Sequence, residues 1–232
     1  MVRVAINGFG RIGRRVFRLL LDHPTIQVVA INDLADAKTL AHLLKYDSIH
    51  GRLKRTVSNN DTQLIFDGTA IPLLNKNYPR DVNWIPYDVD IVIEATGKFK
   101  TKNDLIHHIN NGASKVILSV PPADDSLKTI VLGVNDDLLD ETDLIISNAS
   151  CTTNNAAPML SIINALCGIN QAYITTVHSY TTDQSLHDQP HKDLRRARAA
   201  GQSIVPTTTG AAKALTKIFP ELADCIGGCG IR

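Results

Sequence analysis

VRVAINGFGRIGRRVFRLLL, residues 2–21, passes from an apolar run through Gly8-x-Gly10-x-x-Gly13 into an arginine-bearing segment with helical spacing. The order is strand, glycine turn, helix. In that setting the first glycine permits a tight turn, the second lets backbone approach a pyrophosphate, and the third lets helix and strand pack closely. The helix N-terminus offers its N–H groups to the anion. The next strand-like run, QVVAIND, ends on Asp33, 20 residues past Gly13. A carboxylate there accepts hydrogen bonds from ribose hydroxyls and repels a 2′-phosphate, which favours NAD over NADP. The same glycines would also serve a plain strand–helix turn, and that alternative stays open at this point.

Outward from this stretch, short apolar runs alternate with helix-patterned segments. Residues 2–7, 27–32, 90–95, 115–120 and 144–147 read as strands, and 11–21, 39–45 and 101–111 as helices, the last opening on Thr101-x-x-Asp104. This alternation predicts an α/β fold, a Rossmann-type doubly wound parallel sheet. Residues 52–74 read as a hairpin inserted into the pattern. EATGKF, 94–99, puts Thr96 and Gly97 at the carboxyl end of a strand, where open α/β sheets bind ligands, or simply turn.

After residue 150 the character changes. A helix over 151–166, a strand over 172–178, a charged loop over 179–203, a helix over 211–219 and a glycine-broken apolar end, CIGGCGIR, predict a second, α+β domain. The expected division is 1–150 for a nucleotide-binding domain and 151–232 for a catalytic domain incomplete at its C-terminus.

The 232 residues, 44% hydrophobic and 20% charged, can bury a core, so disorder is excluded. A net charge of +1 supplies no overall field for nucleic acid or anionic lipid. No run approaches the roughly 20 apolar residues of a membrane span. The four cysteines, Cys151, Cys167, Cys225 and Cys229, show no metal-site spacing, so no metal and a reduced, cytoplasmic setting are expected.

SNASCTTNNAAPML, 147–160, sets Cys151 at the first turn of a helix. A thiol there feels the positive end of the helix dipole, which favours thiolate. AYITTVHSYT delivers His178 at a strand end, 27 residues later. An imidazole within reach of the sulfur would stabilise the thiolate and shuttle a proton. A packing cysteine and a structural histidine are the bland alternatives. In 191–210, Lys192, Arg195, Arg196 and Arg198 precede Thr207, Thr208, Thr209 and Gly210, a set able to clamp phosphate or to form a solvated or subunit-interface loop.

NGFGRIGR, SNASCTTN, TVHSYT, DLRRARAA and SIVPTTTGAAKA, in this order, resemble the phosphorylating glyceraldehyde-3-phosphate dehydrogenases along the whole chain. The resemblance implies NAD-dependent oxidation of glyceraldehyde 3-phosphate, with inorganic phosphate, to 1,3-bisphosphoglycerate through a cysteine thiohemiacetal and thioester. It implies Cys151 as nucleophile and His178 as its proton partner. Substrate and phosphate groups would fall on Ser150, Thr152, Thr181, Arg196, Thr209, Gly210 and Arg232. The cofactor would contact Gly8, Gly10, Arg11, Ile12, Gly13, Asp33, Thr96, Gly97 and Ser119. A homotetramer assembled around the loop 179–203 is implied as well. Asn155 stands where many members carry a second cysteine, Gln189 where many carry a leucine that disfavours NADP, and Asn77 where a basic residue often meets the adenine.

Family members carry a further C-terminal third, with the asparagine and tyrosine that orient the nicotinamide. The stretch in hand is therefore expected to be a fragment or a truncated product. Two other readings stand beside the first: the related erythrose-4-phosphate dehydrogenase, and a non-catalytic NAD-binding module.

Overall fold

The computed structural model describes every residue, Met1–Arg232, and the chain forms two units, one comprising Met1–Ile130 and Leu139–Asn148, the other Val131–Leu138 and Ala149–Arg232. In the first, β1 (Val2–Asn7) lies at the middle of a sheet, which explains its unbroken apolar run. It pleats Val4 and Ile6 into one core cluster and Ala5 into the other, on opposite faces. α1 (Arg11–Leu20) packs Phe17 edge-on to Phe9 and Phe66, at centroid distances of 5.5 and 5.7 Å.

β2 (Ile26–Asn32) pairs parallel with β1. α2 (Ala37–Lys45) starts at Asp36, whose carboxylate accepts from Thr39 N at 2.8 Å. β3 (Val57–Asn60), β4 (Gln63–Phe66) and β5 (Thr69–Leu74) then form an antiparallel meander. The region expected as an inserted hairpin is thus three strands. Its last strand joins the parallel sheet through Ile31↔Leu73 and Asn32↔Leu74.

β6 (Ile91–Glu94) flanks β1 on its other side. α3 (Lys102–Asn110) is capped by Thr101, as its sequence predicts, and is followed by β7 (Lys115–Leu118), β8 (Lys128–Thr129) and β9 (Ile145–Ser147). The sheet order is β3-β4-β5-β2-β1-β6-β7-β9-β8. Strand order reverses between β1 and β6, so the crevice for a ligand opens at Asn7 and Glu94, their carboxyl ends.

In the second unit, α4 (Cys151–Cys167), β10 (Ala172–Val177), β11 (Pro206–Thr207), α5 (Ala211–Ile218) and β12 (Ile226–Ile231) surround a core of Val131, Ala157, Leu160, Leu215 and Phe219. β12 is the middle of three strands, parallel to β10 and antiparallel to β11. No helix is long and apolar enough to cross a membrane.

Candidate active site

The glycine turn has three different jobs. Gly8 sits at φ +93°, and a Cβ there would lie 2.6 Å from Thr96 N. A Cβ on Gly13 would lie 2.1 Å from the Gly8 carbonyl oxygen. Around Gly10 a Cβ would meet nothing within 4 Å. Two glycines are therefore fixed by internal packing, and the third keeps a surface bare for a ligand. Gly10 is also the N-cap of α1, and no side chain caps that helix, whereas side chains of Asp36, Thr101 and Ser150 cap α2, α3 and α4.

Asp33 closes the turn. Its Oδ2 accepts from Phe9 N at 2.6 Å and its Oδ1 from Ala35 N at 2.9 Å. A carboxylate has about four acceptor positions, so two remain for a ligand's hydroxyls. A groove of about 310 Å³ runs past Gly8, Gly10, Asp33, Leu34, Thr96 and Phe99. Its bare glycine, uncapped helix start and half-free carboxylate fit the pyrophosphate and ribose of a dinucleotide.

In the second unit, Ala149 takes up a left-handed φ of +57° immediately before Ser150, the N-cap of α4. The Ser150 hydroxyl accepts from Thr153 N at 3.0 Å. The turn presents Cys151 at the surface, with Sγ 3.2 Å from Nε2 of His178. His178 Nδ1 lies 2.7 Å from the Ser179 carbonyl oxygen. A carbonyl only accepts, so Nδ1 carries the proton and the Nε2 lone pair faces the thiol. A cavity of about 400 Å³ opens on this pair, lined by Thr152, Asn155, Thr175 and Thr176 among others.

Cations gather beside it. Arg232 Nη1 donates to Thr181 Oγ1 at 3.1 Å. Burial pushes the Arg232 guanidinium below its ordinary value and Arg196 pushes the same way, while Asp183 and Cys151 pull upward. Arg196 donates from Nε to Thr207 Oγ1 at 2.9 Å and forms an ion pair with Asp183. Burial acts to raise the Asp183 carboxyl, but the Arg196 hydrogen bond and charge outweigh it and hold the group below the usual range.

Two family models match the chain: the NAD-binding domain of glyceraldehyde 3-phosphate dehydrogenase over residues 2–102, and the C-terminal domain of the same enzyme over residues 150–232. Glyceraldehyde-3-phosphate dehydrogenase 2 of Bacillus subtilis (strain 168) is 53% identical over the whole chain, which spans 68% of that relative. The Geobacillus stearothermophilus glyceraldehyde-3-phosphate dehydrogenase is 53% identical, with 69% of its length spanned, and that of Streptomyces coelicolor 52%, with 69%.

The chain belongs to the glyceraldehyde-3-phosphate dehydrogenase family. Its first unit carries the family's NAD-binding domain, and NAD is its cofactor.

Of the residues that the family resemblance singles out for the cofactor, Gly8, Gly10, Asp33 and Thr96 line the groove together, and Gly97 follows at φ +68°. Gly13 is packed beneath the turn. Arg11 and Ile12 are exposed on the first turn of α1, outside the groove lining. Ser119 follows β7, with a buried Oγ that has no partner.

Among the family's substrate positions, Cys151 and His178 meet, as do Thr181 and Arg232. Arg196 reaches Thr207 and the Thr208 carbonyl, next to Thr209 and Gly210 at the start of α5. Thr209 Oγ1 accepts from Ala211 N at 3.2 Å. Leu34, Lys76, Asn77, Lys98 and Phe99 also line the groove. Reasoning from the motifs assigned no contact to Leu34, Lys76, Lys98 or Phe99, and marked Asn77 only as standing where a basic residue often meets the adenine. An apolar residue straight after the acidic strand end was the available signal for Leu34.

Proposed function

We propose that the chain oxidises glyceraldehyde 3-phosphate with NAD and inorganic phosphate to 1,3-bisphosphoglycerate, the glycolytic reaction. The observation that carries this reading is the 3.2 Å contact between Cys151 Sγ and His178 Nε2, with Nδ1 held by Ser179. His178 takes the thiol proton, the Cys151 thiolate attacks the aldehyde carbon to form a C–S bond as the carbonyl π pair moves to oxygen, and His178 returns the proton to that oxygen, giving a thiohemiacetal and a neutral Nε2. NAD held in the groove would supply the hydride acceptor for that carbon.

As the hydride leaves, His178 Nε2 removes the hydroxyl proton and a thioester to Cys151 remains. Phosphate oxygen then attacks the acyl carbon, the C–S bond breaks, and the thiolate leaves. Arg196, Arg232, Thr181, Thr209, Gly210, Ser150 and Thr152 are read as holding the two phosphate groups, Arg196 and Arg232 supplying charge and the hydroxyls hydrogen bonds. Gly8, Gly10, Arg11, Ile12, Gly13, Asp33, Thr96, Gly97 and Ser119 are read as the cofactor set. The division at 1–150 and 151–232 and a homotetramer joined through the loop 179–203 belong to the same reading. So does a cytoplasmic setting, which would keep the four free cysteines reduced.

Purified chain supplied with each aldehyde, NAD and phosphate, with reduced cofactor followed by absorbance, tests the reading. Glyceraldehyde 3-phosphate is expected to be the better substrate and phosphate to be required. Preference for erythrose 4-phosphate, or turnover indifferent to phosphate, would overturn it.

A further inference from the structure

Behind the cofactor groove, Glu94 and His108 are in hydrogen-bonding contact with no solvent exposure of either side chain, and no step of the chemistry above uses them. Trp84, equally buried, donates from Nε1 to His108 Nδ1 at 3.0 Å. An indole N–H only donates, so His108 Nδ1 accepts and its proton sits on Nε2, 3.2 Å from Glu94 Oε2. The same Oε2 accepts from Asn7 Nδ2 at 2.5 Å. Glu94 Oε1 accepts from Thr96 N at 2.9 Å and from the Thr96 hydroxyl. Four donors thus meet the roughly four acceptor positions of one carboxylate.

The hydrogen bonds continue outward. Asn7 Oδ1 accepts from Asn32 Nδ2 at 2.7 Å, and Asn32 Oδ1 accepts from Lys76 N at 2.9 Å. Asn7, Asn32, Lys76 and Thr96 all line the groove, while Glu94 and His108 do not. Thr96 backbone is also the surface on which the glycine turn rests, because Gly8 has no room for a Cβ against it.

We propose that Glu94 and His108 are positioning residues for the cofactor: one buried carboxylate, oriented from α3, sets the four walls against which the dinucleotide is held. The proposal rests on the groove being the seat of NAD. Glutamine at 94 would present an amide N–H₂ to at least one of these donors, so the walls could not all keep their places.

Calorimetric titration with NAD of the unsubstituted chain, Glu94→Gln, His108→Phe and His108→Gln tests it, alongside thermal melting and the rate of Cys151 alkylation by iodoacetamide. NAD binding is expected to weaken about tenfold or more in Glu94→Gln and His108→Phe. His108→Gln, which keeps a donor, should recover part of the loss, and alkylation should hold its rate in all. Undiminished NAD affinity in either folded variant overturns the proposal, as does a loss that tracks alkylation rate and melting temperature together. Should the substitutions prevent folding, hydrogen exchange at the Thr96 and Lys76 amides of the unsubstituted chain decides: protection without NAD is expected, and fast exchange overturns it. Failure of the unsubstituted chain to bind NAD would sink the reading of the groove instead.

Discussion

Cys151 Sγ and His178 Nε2 face each other at 3.2 Å, and the Ser179 carbonyl on the far side of the ring leaves only one proton arrangement for the neutral imidazole. The pair is a thiol with a base already turned toward it. Replacing His178 by asparagine should slow both turnover and Cys151 alkylation by about 10²–10⁴-fold, the usual worth of a positioned base. Cys151→Ser should abolish turnover. NAD affinity, measured by calorimetry, should be unaffected in both.

The three glycines of the turn should respond differently to alanine. Gly13→Ala drives a methyl against the Gly8 carbonyl, and Gly8→Ala meets the Thr96 backbone at a positive φ, so both should lower the melting temperature, each costing about 1–3 kcal/mol or more. Gly10→Ala should melt like the unsubstituted chain and yet bind NAD more weakly, because its methyl enters open space kept for the pyrophosphate.

Asp33→Ser should weaken NAD binding and narrow its advantage over NADP, since the change removes the ribose acceptor and the charge that repels a 2′-phosphate. Parallel titrations with the two cofactors measure the ratio. An unchanged ratio would show that the discrimination lies elsewhere in the groove.

Acid should loosen the loop that carries Arg196. Side-chain hydrogen bonds from Arg195, joined by its backbone N–H and by Thr207, hold the Asp193 carboxyl far below the usual carboxylate range. A depressed folded value contributes stability above the unfolded value, near pH 4, and loses it progressively as pH falls below that toward the folded value. Urea midpoints of the unsubstituted chain and Asp193→Asn should therefore differ at neutral pH and converge as pH drops below about 4. Because Thr207 Oγ1 donates to Asp193 and accepts from Arg196, the substitution should also raise KM for phosphate.

What could be read from the sequence was whatever local chemistry states locally. Gly8, Gly10 and Gly13 announce a strand–turn–helix, Asp33 stands out as an acid at the end of the second strand-like run, and Thr101-x-x-Asp104 announces a helix start that the Thr101 side chain does cap. The joining of β5 to β2 has no such mark, because Ile31 and Leu73 come together only through pairing between distant segments. β8, two residues long, is too short for any period to show. From the residues alone Arg196 could not be told from Lys192, Arg195 and Arg198, and only the family resemblance singled it out; its contacts with Asp183, Thr207 and Thr208 join segments that no local pattern links. Glu94 was visible as the charged end of an apolar strand, but its partners at 7, 96 and 108 were not.

The carboxylate shared by those partners also limits how the chain can change over time. A substitution at Asn7, Asn32, Glu94 or His108 alone strands a donor or an acceptor in the interior, which costs about 1–3 kcal/mol. Accepted changes at these positions should then arrive in matched pairs, and drift in this wall of the groove should proceed by sets of residues rather than one at a time.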